Sequence, residues 1–263
     1  MYTLSQHIDS IIGNMRDFHI EKQIKCLLRE KDCEVACHRA LPSTNALAKE
    51  ALPAQTARFA LYIAGRQTQG RGRLGRSFYS PGGGIYLTLA IRELETERTP
   101  DALTCAAAVA VAKAVRTVCS FLPGIKWVND LLLPNGKKFC GILCERTPAG
   151  LVMGVGVNAA RCKFPAELRE IAGTLGLRRK QRRRLTAEIA QELLRVFCEP
   201  KKKIMEIYRE QNIYLGKEIL FYQYGVACSG VAERIDEDGA LIVRLSDGKL
   251  HHLHTGEVSI RKM

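Results

Sequence analysis

The sequence predicts an α+β fold: a central mixed sheet with flanking helices, followed by a small C-terminal β-barrel-like module. Three observations predict it. Apolar runs of strand length, FALYIAG from Phe59 and GIYLTLAIR from Gly84, stand among helical segments. A hairpin pattern joins KKFCGILCER to LVMGVGVN through Thr147-Pro148-Ala149-Gly150, and the last 50 residues alternate short apolar runs with turn signals. With 263 residues, 46% of them hydrophobic and 25% charged, the chain can bury one sizeable core and a satellite.

The elements follow in order. Residues 1–34 read as an N-terminal extension holding one amphipathic helix at most. Its start, with Asp9 and Asp17, lacks the basic opening and apolar block of a signal peptide, so the chain is expected to be mature as it stands. No stretch is expected to approach the length of apolar chain that a membrane span needs. Ser43-Thr44-Asn45 precede ALAKEAL, an N-cap followed by good helix formers. Asp101 to Phe121 carries small and apolar residues at helical spacing, with Asp101 near the end where the helix dipole favours an anion, and reads as the main buried helix. From Leu185 the pattern is helical to about Gln211, with Pro200 marking a break. The β module begins near Leu215, and Asp238-Gly239 and Asp247-Gly248 are its hairpin turns. The expected division is 1–34, 35–213 and 214–263.

Ten cysteines include the pairs Cys33/Cys37 and Cys140/Cys144, four apart, and no CxxC, which argues against a zinc ribbon. Without an export signal they read as reduced thiols in a cytosol. His251, His252 and His254 fit alternating barrel positions better than a metal site. The net charge is +13, and between Arg161 and Arg209 there are 14 Lys/Arg against 6 Asp/Glu. The run Arg178 to Arg184 reads either as a solvated loop before a helix or as a docking face for an acidic partner. A nucleic-acid-binding module ranks below both, because aromatic residues do not interleave the arginines.

Gly70-Arg-Gly72-Arg-Leu-Gly75 fits GxGxxG, yet Pro81 and Gly82 to Gly84 lead into a strand rather than a helix, which excludes a dinucleotide fingerprint. A phosphate-binding GxxxxGK[ST] loop is absent. Arg71, Arg73 and Arg76 instead place bidentate donors where glycines let a backbone approach an anion. Lys126-Trp127-Val128-Asn129-Asp130 ends a strand in polar residues: Lys126 suits a phosphate, Asp130 a magnesium ion or an amine. Lys137-Lys138 open a strand holding Gly141, and a further strand holds Gly154 and Gly156 and ends at Asn158. Glycine-bearing strands beside an arginine loop indicate one shared pocket.

In this order, STN at Ser43, GRGRLGR from Gly70, KWVND from Lys126 and KKFCGIL from Lys137 resemble the biotin protein ligases over about residues 35 to 160. GALIV and GEVSIR resemble that family's C-terminal module. The resemblance implies a class II synthetase-like catalytic domain, an SH3-like C-terminal domain, and ATP-dependent activation of biotin before transfer to a carrier lysine. Ser43, Thr44, Asn45 and Gln67 would line the biotin ureido pocket, with Gly70, Arg71, Gly72 and Arg73 at its carboxylate end. Lys138 would be the central catalytic lysine and would also contact biotin, chosen over Lys137 because the FCGIL strand fixes its offset, with Arg71 and Asp130 beside it. Arg73, Arg76, Lys126, Asn129, Asp130 and Asn158 would face ATP, its magnesium or the adenylate. Mg²⁺ would be held through the ATP phosphates, with Asp130 as its candidate protein ligand, and the loop from Gln67 to Gly84 would close over the adenylate.

The implied partner is the biotin carboxyl carrier protein of acetyl-CoA carboxylase or a similar enzyme. With 42 residues before Ser43 there is too little chain for a winged helix-turn-helix, so the monofunctional type is expected. No specific DNA binding and no membrane contact are expected, the location is cytoplasmic, and a homodimer stays open. Phe78 stands where the family often has Trp and Val128 where it often has Pro. A ligase for lipoate or octanoate is the main alternative.

Overall fold

The structure is a computed structural model of the 263-residue chain and describes Lys22, Ile24 and residues 32–92, 98–223, 226–254 and 258–260. The expected N-terminal helix thus lies almost wholly outside the described residues, as does part of GEVSIR.

A seven-stranded sheet has the order β1-β2-β3-β7-β6-β5-β4. β1 (Cys33–His38) and β2 (Phe59–Ala64) are parallel, because helix α1 (Thr44–Ala51) makes the crossover between them. All other neighbours run antiparallel: β3 (Ile85–Arg92), β7 (Gly150–Val157), β6 (Lys138–Thr147), β5 (Asp130–Leu132) and β4 (Gly124–Lys126). β3 is buried at every position but its last, since α1 packs on one face and α2 (Pro100–Cys119) with α3 (Arg179–Arg195) covers the other. That explains its continuous rather than alternating apolar sequence.

α2 is capped by Thr99, whose side chain accepts from the Ala102 amide, and ends in left-handed Ser120. An 18-residue window within its 20 residues has a mean hydropathy of 1.6, long and apolar enough to cross a membrane by those two measures. The expectation that no stretch approaches a span is therefore corrected. Burial inside the protein, under β6, α3 and α4 (Lys201–Gln211), accounts for that apolarity.

α3 begins at Arg179 rather than at Leu185, so the basic run is not a loop but two helical turns. Gln181 Oε1 accepts from the Arg178 amide at 3.1 Å and closes the first turn. Apolar periodicity could not reveal this, because Arg178 to Gln181 are exposed and the buried stripe starts only at Leu185. Pro200 caps α4, as its fixed φ suits a helix entrance.

The C-terminal sheet is five-stranded and antiparallel, in the order β11-β10-β9-β8-β12. Its strands are β8 (Glu218–Gln223), β9 (Val226–Ile235), β10 (Leu241–Arg244), β11 (Leu250–Leu253) and β12 (Val258–Ile260). Gly239 and Gly248 turn its hairpins with φ of 87° and 83°. This module docks on the larger one through the turn at Gly239, whose carbonyl accepts from Trp127 Nε1 at 2.9 Å. Thr99 Oγ1 donates to Asp238 O at 2.6 Å and Arg209 Nε to Ile235 O at 2.6 Å. Ile219, Phe221 and Leu241 join the same apolar core as Leu87, Val109 and Phe139.

Candidate active site

The end of β1 and the end of β2 lie side by side, so Ser43 to Asn45 meet Gln67 although 22 residues or more separate them. Ser43 caps α1, accepting from the Ala46 amide at 3.4 Å. The amide and hydroxyl of Thr44 donate to Gln67 Oε1 at 2.8 and 3.1 Å, and Gln67 Nε2 donates to Ser80 Oγ at 3.1 Å. Asn45 Nδ2 donates to Leu143 O at 3.1 Å and to Glu145 Oε2 at 2.8 Å, while its Oδ1 accepts from Thr88 Oγ1 at 2.7 Å. Glu145 is in turn held by Lys49 Nζ at 2.7 Å.

This count fixes what the pocket can offer. Both donors of Asn45 are spent, so towards a ligand it presents only an acceptor. Gln67 keeps one N–H and Ser43 its hydroxyl proton. The site therefore complements a group that carries N–H donors beside a carbonyl.

Glycines make the floor. Gly154 faces Leu143 across β6 and β7, and a Cβ there would sit 2.0 Å from Asn45 Oδ1. Gly141 pairs with Gly156, and a Cβ on Gly156 would sit 2.6 Å from the Phe78 ring. The phenyl ring of Phe78 rests on this bare strip, with Lys138 Nζ 5.8 Å from its centroid.

Beyond Phe78 the cleft becomes cationic. Lys138 opens β6, Asp130 opens β5 and Lys126 ends β4, directly paired with Asp130 in register. Lys138 Nζ lies 2.7 Å from Asp130 Oδ1. Burial holds Lys126 below the usual lysine range, and the charges of Lys138 and Arg76 push the same way against Asp130. The arginine loop folds back on itself: Arg71 bridges Ser77, and the Gly72 amide donates to Arg76 O at 2.7 Å. Its tip holds Leu74 at φ 55°, with the side chain 67% exposed.

One cavity of about 330 Å³ joins these parts. It is lined by Ser43, Thr44, Asn45, Gln67, Arg71, Gly72, Arg73, Arg76, Lys126, Asn129, Asp130 and Lys138, twelve of the sequence-selected residues. Gly70 and Asn158 do not line it. Gly70 shapes the loop, since a Cβ there would lie 2.4 Å from Phe78 O. Asn158 is buried at the end of β7, its backbone N–H donating to Phe139 O at 2.7 Å. Lys137 points away and donates to Arg169 O at 2.7 Å, so Lys138 alone of the pair reaches the cleft.

Sequence reasoning missed Thr88, Glu145, Trp127 and Tyr222 as contributors. Thr88 carried a signal, a lone threonine in the apolar run IYLTLAIR that proves fully buried. Tyr222 carried none, for only the docking of β8 brings it to the cleft. Burial raises the thiols of Cys33 and Cys144 to about 12 and those of Cys105 and Cys140 further, so they pack as neutral groups. Among the described residues no cluster of His, Cys, Asp or Glu could hold a metal.

Residues 38–159 match the Biotin/lipoate A/B protein ligase family, and residues 214–261 match the Biotin protein ligase C terminal domain. The biotin acetyl-CoA-carboxylase ligase of Mycobacterium tuberculosis is 30% identical over 191 residues, 68% of this chain and 71% of that protein. The chain belongs to the biotin protein ligase family. The bifunctional ligase/repressor BirA of Bacillus subtilis is 29% identical over 228 residues, 80% of this chain and 69% of that protein. In fold, the Aquifex aeolicus biotin protein ligase in complex with biotin and ATP superposes with a TM-score of 0.73 at 24% identity, covering 88% of this chain and 99% of that one. Family membership accounts for the pairing of a mixed catalytic sheet with an SH3-like module. Where the family often has Trp and Pro, this chain keeps an aromatic cover in Phe78 and has a cis peptide bond before Val128.

Proposed function

We infer that this cleft activates biotin with ATP as biotinyl-5′-AMP and passes the acyl group to a lysine of a biotin carboxyl carrier protein, the activity of its family. The observation that carries the residue assignment is the Lys138–Asp130 pair, 2.7 Å apart, at the junction of a neutral hydrogen-bonding pocket and an arginine loop. A ureido ring fits the neutral end: Asn45 Oδ1 accepts its N–H, and Ser43 and Gln67 donate to its carbonyl. Its carboxylate then points past Phe78 to Arg71 and Lys138.

In the first step a carboxylate oxygen attacks the α-phosphorus and pyrophosphate leaves. Two anions must meet, so repulsion is the barrier. Arg71, Arg73, Arg76, Lys126 and Lys138 neutralise it from fixed positions, each such contact being worth about 3 kcal/mol in a preorganised site. Five cations against one carboxylate among the described residues suit a triphosphate, and that leaves Mg²⁺ held through phosphates, with Asp130 as its candidate protein ligand. Magnesium, when bound, supplies further charge neutralisation on those phosphates.

In the second step a neutral amine attacks the acyl carbon, AMP leaves and the amine loses its proton. Asp130 first positions Lys138. When Lys138 turns to the acyl phosphate oxygen, the released carboxylate can accept that proton. The arginine loop closing over the adenylate keeps water from the anhydride.

The working division is a catalytic unit at 35–213 and an SH3-like unit at 214–263. The nine described cysteines are free, which supports a reducing cytoplasmic location. Neither DNA nor membrane contact is part of this reading, and the chain works as a monomer or homodimer. The deciding test is incubation with biotin, MgATP and a carrier domain, followed by intact mass of the carrier. Gain of one biotinyl group supports the assignment; gain only with lipoate or octanoate overturns it.

A further inference from the structure

The two limbs of the arginine loop are laced together at its neck. The Gln67 backbone N–H donates to Ser80 O at 3.1 Å and that of Phe78 to Gly70 O at 2.9 Å, with Arg71 bridging Ser77 beyond them. The first limb is also fastened to the segment before Ser43, through the backbone N–H of Thr68 to Leu41 O at 2.9 Å and that of Gln69 to Pro42 O at 2.8 Å. Inside this neck lies Ser80, 5% exposed, which does not line the cleft.

Its hydroxyl stands between two parts of the site. Ser80 Oγ donates to Phe78 O at 2.8 Å and accepts from Gln67 Nε2 at 3.1 Å. A hydroxyl has one proton, and with that proton given to Phe78 O, Ser80 can only accept from Gln67. The carbonyl of the same side chain accepts from the amide and hydroxyl of Thr44 at 2.8 and 3.1 Å. The Gln67 amide is thus held at both ends, and its second N–H is left for a ligand. Gly70, which does not line the cleft either, makes room for the junction. A Cβ there would sit 2.4 Å from Ser80 Oγ, 2.4 Å from Phe78 O and 3.2 Å from Gln67 Nε2.

We propose that Ser80 is a positioning residue for biotin: without touching the ligand, its hydroxyl fixes the Gln67 amide against the Phe78 backbone. One buried junction then sets both the donor that meets the ureido carbonyl and the aromatic cover over the glycine strip. The inference rests on the biotin reading of the cleft, and it gives Ser80 and Gly70 a joint role that neither could have through contact with substrate.

The test is a double-mutant cycle on the full-length chain, with Ser80→Ala, Gln67→Ala and the double variant, each titrated with biotin by calorimetry. Ser80→Ala should weaken biotin binding by about threefold to tenfold, the loss expected of one hydrogen bond. In the Gln67→Ala background the same change should cost less than about twofold, because the group through which Ser80 acts is gone. A serine that only stabilised the fold would give the same factor in both backgrounds, and that result, or an unchanged affinity in Ser80→Ala, overturns the proposal. In biotin-dependent pyrophosphate exchange the KM for biotin should rise in Ser80→Ala while the KM for ATP holds; an equal rise in both overturns it as well. Should Ser80→Ala fail to fold, Ser80→Cys, close in shape but a weak acceptor, takes its place in the cycle. Absence of biotin binding by the parent would overturn the functional reading together with this inference, whereas equal factors in a parent that binds biotin overturn the inference alone.

Discussion

At the Asn45 end of the cleft, Thr44, Asn45, Gln67 and Thr88 satisfy one another through neutral hydrogen bonds, whereas at the Lys138 end five cations line the cleft together with Asp130. The first region is stable without ligand, and its selectivity resides in which lone pairs and protons remain unused. The second carries an excess of positive charge, with Lys126 held below the usual lysine range by burial first and by Lys138 and Arg76 after it, and gains from an anion that enters. Recognition and charge neutralisation are thus separated in space, with Phe78 on its glycine strip between them. Substitutions at the Asn45 end should change biotin affinity and leave nucleotide kinetics alone, whereas those at the Lys138 end should act chiefly on adenylation.

The sharpest way to break that comparison is Lys138→Met. It should slow biotin-dependent pyrophosphate exchange by about 100-fold or more, while biotin affinity, measured directly, falls by a much smaller factor because Arg71 still meets the carboxylate. An equal loss in both would mean that the lysine acts through recognition alone. Next in size is Gly154→Ala, whose Cβ would meet Asn45 Oδ1 at 2.0 Å. Displacing that acceptor should weaken biotin binding by about tenfold or more, with the KM for ATP unchanged.

A smaller effect is expected from Glu145→Gln. The carboxylate fixes which way the Asn45 amide faces, since it accepts from Nδ2 at 2.8 Å. The neutral amide can hold either orientation, so biotin affinity should fall by about threefold to tenfold, consistent with the loss of one charged hydrogen bond. Calorimetry with biotin alone reads this without any catalytic step.

The smallest change is in stability, from Lys126→Met. Lys126 has a lower pKa folded than unfolded, so between the two values the unfolded chain binds more protons and parent stability rises with pH. At neutral pH the methionine variant, free of the buried charge, should therefore melt higher than the parent. Its advantage should shrink as pH rises towards the ordinary lysine value, in thermal melts run across that range. A gap independent of pH would assign the gain to packing rather than to charge.

Much of this was legible beforehand because the motifs are local. Ser43 as an N-cap, the strands at Phe59 and Ile85, the hairpin at Gly150 and the break at Pro200 each depend on a few adjacent residues and stand as expected. The start of α3 was not legible, because its first two turns extend past the core and carry no apolar stripe. The apolarity of α2 was underestimated for a related reason: small residues such as alanine give weak signals singly and a span-like average together. Asn158 sits beside the chemistry in sequence order, yet it is buried just past β7, where its backbone N–H continues the pairing with Phe139.

The chain by itself determined the order of elements, the excess of arginine and lysine, and which glycines leave room on the strands, since those follow from composition and short-range geometry. Tertiary structure alone decided that Lys137 turns away to Arg169 O, that Glu145 orients Asn45 across 100 residues of sequence, and that Tyr222 reaches the cleft from another sheet. These are contacts between strands whose register is set by the whole sheet, and in a β-strand a shift of one residue sends a side chain to the opposite face.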